Sequence, residues 1–271
     1  MDGSLQALLN ASDAVYLALN GLSGRSWLFD ALVALAVDND LVKAGPVAAA
    51  FFFAWQAGGA EARLRARRRL LVTLVAVLAV LAVTKSIADN LFLPRPFVQS
   101  QQAYHLDGER LVETARLPYR APLEGFSGGR FDRLREGEID ENDLRSFPSD
   151  HAAFFFALAL GILFAHRGAG LFAAAWAVVA ICGSRIVTGA HSPLDIVAGL
   201  AIGGALLILF QLAAGKWLHR PFDAAAAWTV RRPALAASGL FLILFEVANT
   251  LENVREVLRT GRRIAERVLG L

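Results

Sequence analysis

The sequence has little charge and almost no cysteine. Of its 271 residues, 19% are charged and 56% are hydrophobic, and the mean hydropathy is +0.47. This composition is too apolar for an ordinary soluble domain. Cys182 is the only cysteine, which excludes a disulfide within the chain. The sequence also has no internal repeat and no low-complexity segment, so repeat architectures are excluded.

The excess of basic over acidic residues is small as well. The formal net charge is +3 and the pI is about 9.4. We attribute this excess to arginine-rich segments that face anionic lipid headgroups. Binding of nucleic acid is therefore not expected.

What the sequence does contain is a series of apolar runs separated by polar segments. A helix of about 17 to 25 apolar residues crosses the hydrocarbon core of a membrane. We therefore predict an all-α integral membrane helical bundle of about six spans. The apolar runs are residues 41–57, 70–92, 152–165, 171–182, 194–214 and 233–249.

Three regions are expected along the chain. Residues 1–40 are less apolar, and form either an interfacial helix followed by a short helix or a poor first span. Residues 41–214 are the membrane core, with residues 97–146 as a polar outer loop. Residues 215–271 contain the last apolar run and an amphipathic tail, and the sequence leaves open whether that run crosses the membrane.

An arginine-rich segment orients the bundle. Residues 61–69 contain five arginines in what we interpret as a short loop, which favours the cytoplasmic side. The next run, 70–92, then leads outward and ends at two prolines around Arg95. Continued counting places residues 149–151 and 184–195 at the same outer face. Three polar clusters are thus predicted to converge there.

The segment from Ser184 to Asp195 has two interpretations. Ser192 has the position of a helix N-cap, Pro193 lies in the first helical turn, and Asp195 is at the third position, where a carboxylate suits the unpaired amides. Helix capping alone does not explain His191 and Arg185. A carboxylate four residues after a histidine can hold one tautomer and leave the other ring nitrogen free to attack an electrophile.

The side chains gathered at the outer face favour an anion as the ligand. Arginine offers a bidentate fork for phosphate oxygens. A helix that starts at Pro148–Asp150 offers backbone amides and the positive end of its dipole. Ionisable groups within or beside a bilayer indicate a functional site by default. Two arginines and two histidines here therefore predict an anion-binding site that also catalyses a reaction.

The spacing of these residues resembles the type 2 phosphatidic acid phosphatase family, whose membrane lipid phosphatases share a helical core with vanadium haloperoxidases. Ser184-Arg185, five residues, His191, three residues, Asp195 resembles its third signature. Pro148–His151 resembles the second, with Asp150 in place of glycine, and Arg95-Pro96 resembles the end of the first. The resemblance covers roughly residues 41–214.

Two positions depart from the family pattern. Lys85 stands ten residues before Arg95, whereas the signature places its lysine seven residues before, at Ala88. On a helix, three extra residues move the amine about 4.5 Å deeper. The carboxylate of Asp150 would repel a phosphate unless it points away or meets an arginine.

The resemblance implies a role for each matching residue. His191 would attack phosphorus to form a phosphohistidine, Asp195 would orient it, and His151 would protonate the leaving oxygen and then activate water. No metal or other cofactor is implied. The implied ligands of the phosphate oxygens are Arg95, Ser149, Arg185, Lys85 at its shifted position, and the backbone of Asp150.

The substrate is expected to be a lipid phosphate in the membrane, with inorganic phosphate or vanadate as further ligands. Residues 147–151 and 18–23 resemble the bacterial undecaprenyl-diphosphatase branch, which favours conversion of undecaprenyl diphosphate to undecaprenyl phosphate. Phosphatidic acid, phosphatidylglycerophosphate and a lipid A phosphate are the alternatives, and a non-catalytic lipid-binding protein is a more distant one. The expected location is the bacterial inner membrane, with the site on its outer face.

Overall fold

Almost all of the described chain is helical. The computed structural model describes residues 3–99, 104–107, 110–113, 118–122 and 140–248. Its helices are α1 Gly3–Asn20, α2 Trp27–Asp38, α3 Asp40–Gln56, α4 Ala60–Asn90, α5 Pro96–Gln99, α6 Asp150–Ala165, α7 Arg167–Val187, α8 Pro193–Lys216, α9 His219–Arg231 and α10 Pro233–Ala248.

Three of these helices, α4, α7 and α8, are long and apolar enough to cross a membrane, and α6 and α10 are shorter apolar helices. Large apolar side chains cover the outer surface of the bundle; Val179 and Phe241, for example, are 75% and 69% exposed. Such a surface suits hydrocarbon rather than water. The prediction of an all-α membrane bundle is confirmed.

Helix α6 occupies the centre of the bundle and packs against α4, α7 and α8. Its Phe154 and Phe155 are completely buried. Two glycines of α8 allow a close approach, because a Cβ on Gly199 would lie 2.4 Å from the Ser149 carbonyl oxygen and one on Gly203 would lie 2.2 Å from that of Ala153. The start of α6 is thereby held against the start of α8.

The predicted inner loop is wrong. Residues 61–69 are the first turns of α4, not a loop, because alanine, leucine and arginine all favour helix. At the same end, the chain turns between α6 and α7 at His166 alone, whose Nδ1 caps α7 by accepting from the Ala169 amide at 3.2 Å.

The outer turn is shorter than predicted. Residues 184–187 are the last turn of α7, which places Arg185 on a helix. The chain reverses over residues 188–192, where Gly189 has a φ of 68°, a left-handed conformation that glycine adopts at little cost. Ser192 and Asp195 then form a capping box at the start of α8, as the capping interpretation predicted.

The N-terminal region contains two helices, α1 and α2, joined by a turn. Asn20, the last residue of α1 before this turn, donates to the Val187 carbonyl at 2.8 Å and to the Arg120 carbonyl at 3.0 Å. Its side-chain oxygen accepts from the Arg120 amide at 2.7 Å. The turn therefore ties the end of α7 to residues 118–122 of the outer loop.

Other parts of the outer loop are regular as well. Strands β1 Tyr104–Asp107 and β2 Arg110–Glu113 pair antiparallel, and residues Glu141–Leu144 form a 3-10 turn. Residues 100–103, 108–109, 114–117 and 123–139 of the predicted loop and the predicted amphipathic tail from residue 251 onward lie outside the described residues. The boundaries at residues 40 and 215 stay predictions.

Candidate active site

His191 lies in the outer turn and is only 3% exposed. Its Nδ1 donates to the Ser146 carbonyl oxygen at 2.9 Å. A carbonyl can only accept a hydrogen bond, so this contact selects the tautomer with the proton on Nδ1. The lone pair of the neutral ring is then on Nε2, the nitrogen that a nucleophilic histidine needs.

Asp195 combines the two roles that the sequence left open. Its Oδ2 accepts from the Ser192 amide at 2.7 Å, which is the capping contact. The same oxygen accepts from the Ser146 hydroxyl at 2.6 Å and lies 3.7 Å from His191 Nδ1. The carboxylate thus caps α8 and lies beside the histidine at the same time.

Ser146 is the residue at the centre of this arrangement, and the sequence analysis missed it. It is 2% exposed; its carbonyl contacts His191, its hydroxyl contacts Asp195, and its amide donates to the Leu93 carbonyl at 2.8 Å. The one available signal was its position directly before residues 147–151. It positions the histidine and the carboxylate together.

His151, on the first turn of α6, has a carboxylate partner of its own. Its Nδ1 lies 2.8 Å from Asp150 Oδ1, and the same oxygen accepts from the His151 amide at 2.7 Å. The Asp150 carboxylate is therefore turned toward a histidine, and the positive charge of Arg185 also acts on it. A proton on Nδ1 of His151 is favoured by this contact, as for His191.

The start of α6 offers fewer open amides than the sequence suggested. The Ser149 hydroxyl accepts from the Ala152 amide at 3.4 Å, and the His151 amide is taken by Asp150. Ser149 is fully buried, and its amide donates to the Asp195 carbonyl at 3.1 Å. Phosphate contacts from the Ser149 hydroxyl and the Asp150 amide stay predictions.

Two arginines lie beside the histidines. Arg95 donates from Nη1 to the Ala190 carbonyl at 3.2 Å, next to His191, and from Nε to the Asn142 carbonyl at 3.0 Å. Arg185 is 6% exposed and interacts electrostatically with Asp150, His151 and His191. The tertiary structure thus brings both predicted arginines to one place.

The surroundings of His191 disfavour its charged form. Burial lowers the pKa of His191, the nearby Asp195 carboxylate opposes that shift, and the positive charges of Arg95 and Arg185 add to the lowering. Desolvation penalises the imidazolium ion more than the neutral ring. The ring is therefore neutral at physiological pH, as a nucleophile requires.

Lys85 is not among these residues. Its ammonium group lies 3.6 Å from Asp89, on a side chain that is 53% exposed. A different lysine, Lys43 of α3, is buried and interacts electrostatically with His151. The signal for Lys43 in the sequence was a single lysine inside the apolar run 41–57.

Comparison with known proteins yields one family and one relative. The model of the PAP2 superfamily matches residues 68–218, a range that contains His151, His191 and Asp195. The bacitracin transport permease protein BcrC of Bacillus licheniformis is 36% identical over 93 residues. These residues are 33% of this chain and 42% of that protein, so the match spans less than half of the relative. No solved structure matches.

Proposed function

This chain belongs to the PAP2 superfamily, and on that premise we propose that it is a membrane lipid phosphatase that converts undecaprenyl diphosphate to undecaprenyl phosphate. The observation that carries the proposal is the buried His191, whose Nδ1 faces the Ser146 carbonyl and whose ring lies beside Asp195. A neutral imidazole held in this tautomer can attack phosphorus through Nε2.

The first step breaks the bond between the terminal phosphorus and the leaving oxygen. Nε2 of His191 forms the new bond to phosphorus. His151 gives the leaving oxygen a proton from Nε2, which it carries once the negatively charged substrate is bound beside it. The departing product is the lipid monophosphate. As the imidazole becomes positively charged, the Asp195 carboxylate 3.7 Å away stabilises that charge.

The second step returns the enzyme to its starting state. His151, now neutral, accepts a proton from water as the water oxygen attacks the phosphorus. The bond between phosphorus and Nε2 breaks, which releases inorganic phosphate and restores the two histidines. Arg95 and Arg185 stabilise the phosphoryl oxygens in both transition states, where charge compensation and positioning supply most of the acceleration. The reaction needs no metal ion.

The proposed substrate rests on residues 147–151 and 18–23, which resemble the undecaprenyl-diphosphatase branch of the family. The second of these segments contains Asn20, which ties the outer loop to the end of α7. We place the site at the outer face of a bacterial inner membrane, because the arginine-rich start of α4 favours the cytoplasmic side.

The test is phosphate release by the purified protein in detergent and excess chelator. Undecaprenyl diphosphate should be hydrolysed faster than phosphatidic acid, phosphatidylglycerophosphate or a lipid A phosphate, and vanadate should inhibit. Rapid alkaline quenching with a labelled terminal phosphate should trap labelled protein. Release that depends on an added metal, or an absence of labelled protein during turnover, would contradict the mechanism.

A further inference from the structure

A buried lysine lies outside the three signatures. Lys43, in the first turn of α3, is only 8% exposed although its side chain carries a charge. Its neighbours in sequence are apolar. A lysine is rarely buried unless it is paired. Its Nζ lies 2.5 Å from Asp40 Oδ1, and the Asp40 side chain is 46% exposed. The ammonium group has three donors, so a pairing with one carboxylate oxygen leaves donors for a second anion.

The first turn of α3 lies at the same end of the bundle as His151. Near the other end of α3, the Phe53 ring contacts the ring of His166, the residue after α6, at 5.1 Å. The two helices run in the same direction, and at about 1.5 Å per residue Lys43 lies some 15 Å from Phe53 toward the start of α6. Its charge acts on His151 through space.

Trp176 of α7 holds this turn in place. Pro46 has no amide hydrogen, so it cannot donate to the Val42 carbonyl within α3. The Trp176 indole donates instead, at 3.2 Å to the Val42 carbonyl and 3.2 Å to the Lys43 carbonyl. The backbone of Lys43 is therefore anchored to the helix that carries Arg185.

A cation beside the acid catalyst distinguishes two classes of substrate. In the proposed function, His151 protonates the oxygen that leaves. From a lipid phosphomonoester the leaving group is a neutral alcohol, with no charge for a lysine to bind. From a lipid diphosphate it is a phosphate that keeps negative charge on its other oxygens. An ammonium group near His151 stabilises only the second departure.

We propose that Lys43, oriented by Asp40, binds the lipid-linked phosphate of a diphosphate substrate and makes the site selective for lipid diphosphates over lipid phosphomonoesters. This inference rests on the proposed function. It assigns to Lys43 a contact with the phosphate that departs, whereas Arg95 and Arg185 serve the phosphate that His191 attacks.

The test compares two substrates in two variants, Lys43→Gln and Asp40→Asn/Lys43→Gln. The double variant removes the Asp40 carboxylate that Lys43→Gln would leave unpaired, and it replaces the single variant if that protein is unstable. We expect kcat/KM for undecaprenyl diphosphate to fall about thirtyfold, the size expected for one lost contact between charged groups, while that for phosphatidic acid changes less than about threefold. Lys43→Arg should recover part of the diphosphate rate. Lys216→Gln is the matched control, since that lysine is exposed at the last residue of α8, at the opposite end of the bundle.

A second measurement does not depend on turnover. Inorganic diphosphate should inhibit the double variant about tenfold less well than the wild type, with inhibition by orthophosphate unchanged. Equal losses on both substrates, or no loss on either, would overturn the role of Lys43 while the lipid phosphatase activity stands. A wild-type protein that releases phosphate from neither lipid would instead refute the proposed function, and with it this inference.

Discussion

The two ends of the bundle both bury charged side chains, but they hold them differently. At the end where α4 begins, Arg67 is 6% exposed and donates to the Trp55 carbonyl at 3.3 Å, to the Thr229 carbonyl and hydroxyl at 3.2 Å, and to Gln56 Oε1 at 3.2 Å. Its guanidinium also lies 5.2 Å from the centre of the Trp55 ring. None of these partners titrates near neutral pH.

At the other end, the hydrogen bonds join groups that gain or lose protons. His151 contacts the carboxylate of Asp150, and the carboxylate of Asp195 lies beside His191 and accepts from Ser146. Burial of a charge is common to both ends and does not by itself mark a site. The outer end is distinguished by contacts between acidic and basic side chains, which are the contacts that proton transfer requires.

Replacement of the proposed nucleophile should have the largest effect. We expect His191→Ala to lower kcat by at least about a thousandfold, because no other group can form the covalent intermediate. The measurement is phosphate release from undecaprenyl diphosphate. His219→Ala, an exposed histidine at the opposite end, is the control and should keep the wild-type rate. A His191 variant that retains more than a tenth of the activity would refute the assignment.

The two roles of Asp195 can be separated. Asp195→Asn should lower kcat by about a hundredfold through loss of the charge beside His191, whereas Ser192→Ala should cost about 1 kcal/mol of stability with kcat changed only a few-fold. Both variants disturb the capping box of α8. Thermal unfolding and kinetics of the two proteins together make the distinction, and equal kinetic losses would mean that capping alone matters.

Ser146→Ala tests the residue that the sequence analysis missed. Loss of the hydroxyl removes the 2.6 Å contact with Asp195 but leaves the carbonyl that faces His191. We expect kcat to fall about tenfold with little change in KM, the pattern of a positioning group. Ser26→Ala, at the N-cap of α2, serves as the control. A change confined to KM would argue for a direct substrate contact instead.

At the opposite end, Arg67→Met should change stability and not chemistry. Its removal leaves the buried Trp55 and Thr229 carbonyls without this donor, so we expect about 2 to 3 kcal/mol of destabilisation. The rate per folded molecule should stay within a factor of about two of the wild type. Unfolding in detergent and kinetics on the folded fraction are the measurements. A stable but inactive variant would contradict the distinction between a structural inner end and a catalytic outer end.

The pH dependence should show the smallest effect. Because burial lowers the pKa of His191, the neutral ring persists under mildly acidic conditions, and activity should fall only as the pH drops through that lowered value. The acid limb of kcat/KM should therefore lie below about pH 6.5. The contact with Asp195 raises the pKa of His191, so in Asp195→Asn the limb should move to still lower pH. A shift toward higher pH would contradict this.

Local patterns were sufficient for much of the fold. Apolar length predicted α4 and α8, and the Ser192 to Asp195 pattern predicted the cap at the start of α8. The errors lay at polar segments between helices. Arginines within residues 61–69 suggested a loop. A polar segment can nevertheless continue a helix when its residues favour that conformation and the charged ends of its side chains are exposed.

The composition and the spacing of a few side chains were enough to assign a membrane protein, a helical bundle, and histidines and arginines gathered at one end, because apolar length and helix counting are local properties of the chain. The hydrogen-bond partners of those side chains are not local. Ser146 joins His191 and Asp195 across more than forty residues, and Lys43 lies near His151 because α3 packs on α6. Such pairings depend on helix packing, and packing is set by shape complementarity between surfaces distant in sequence.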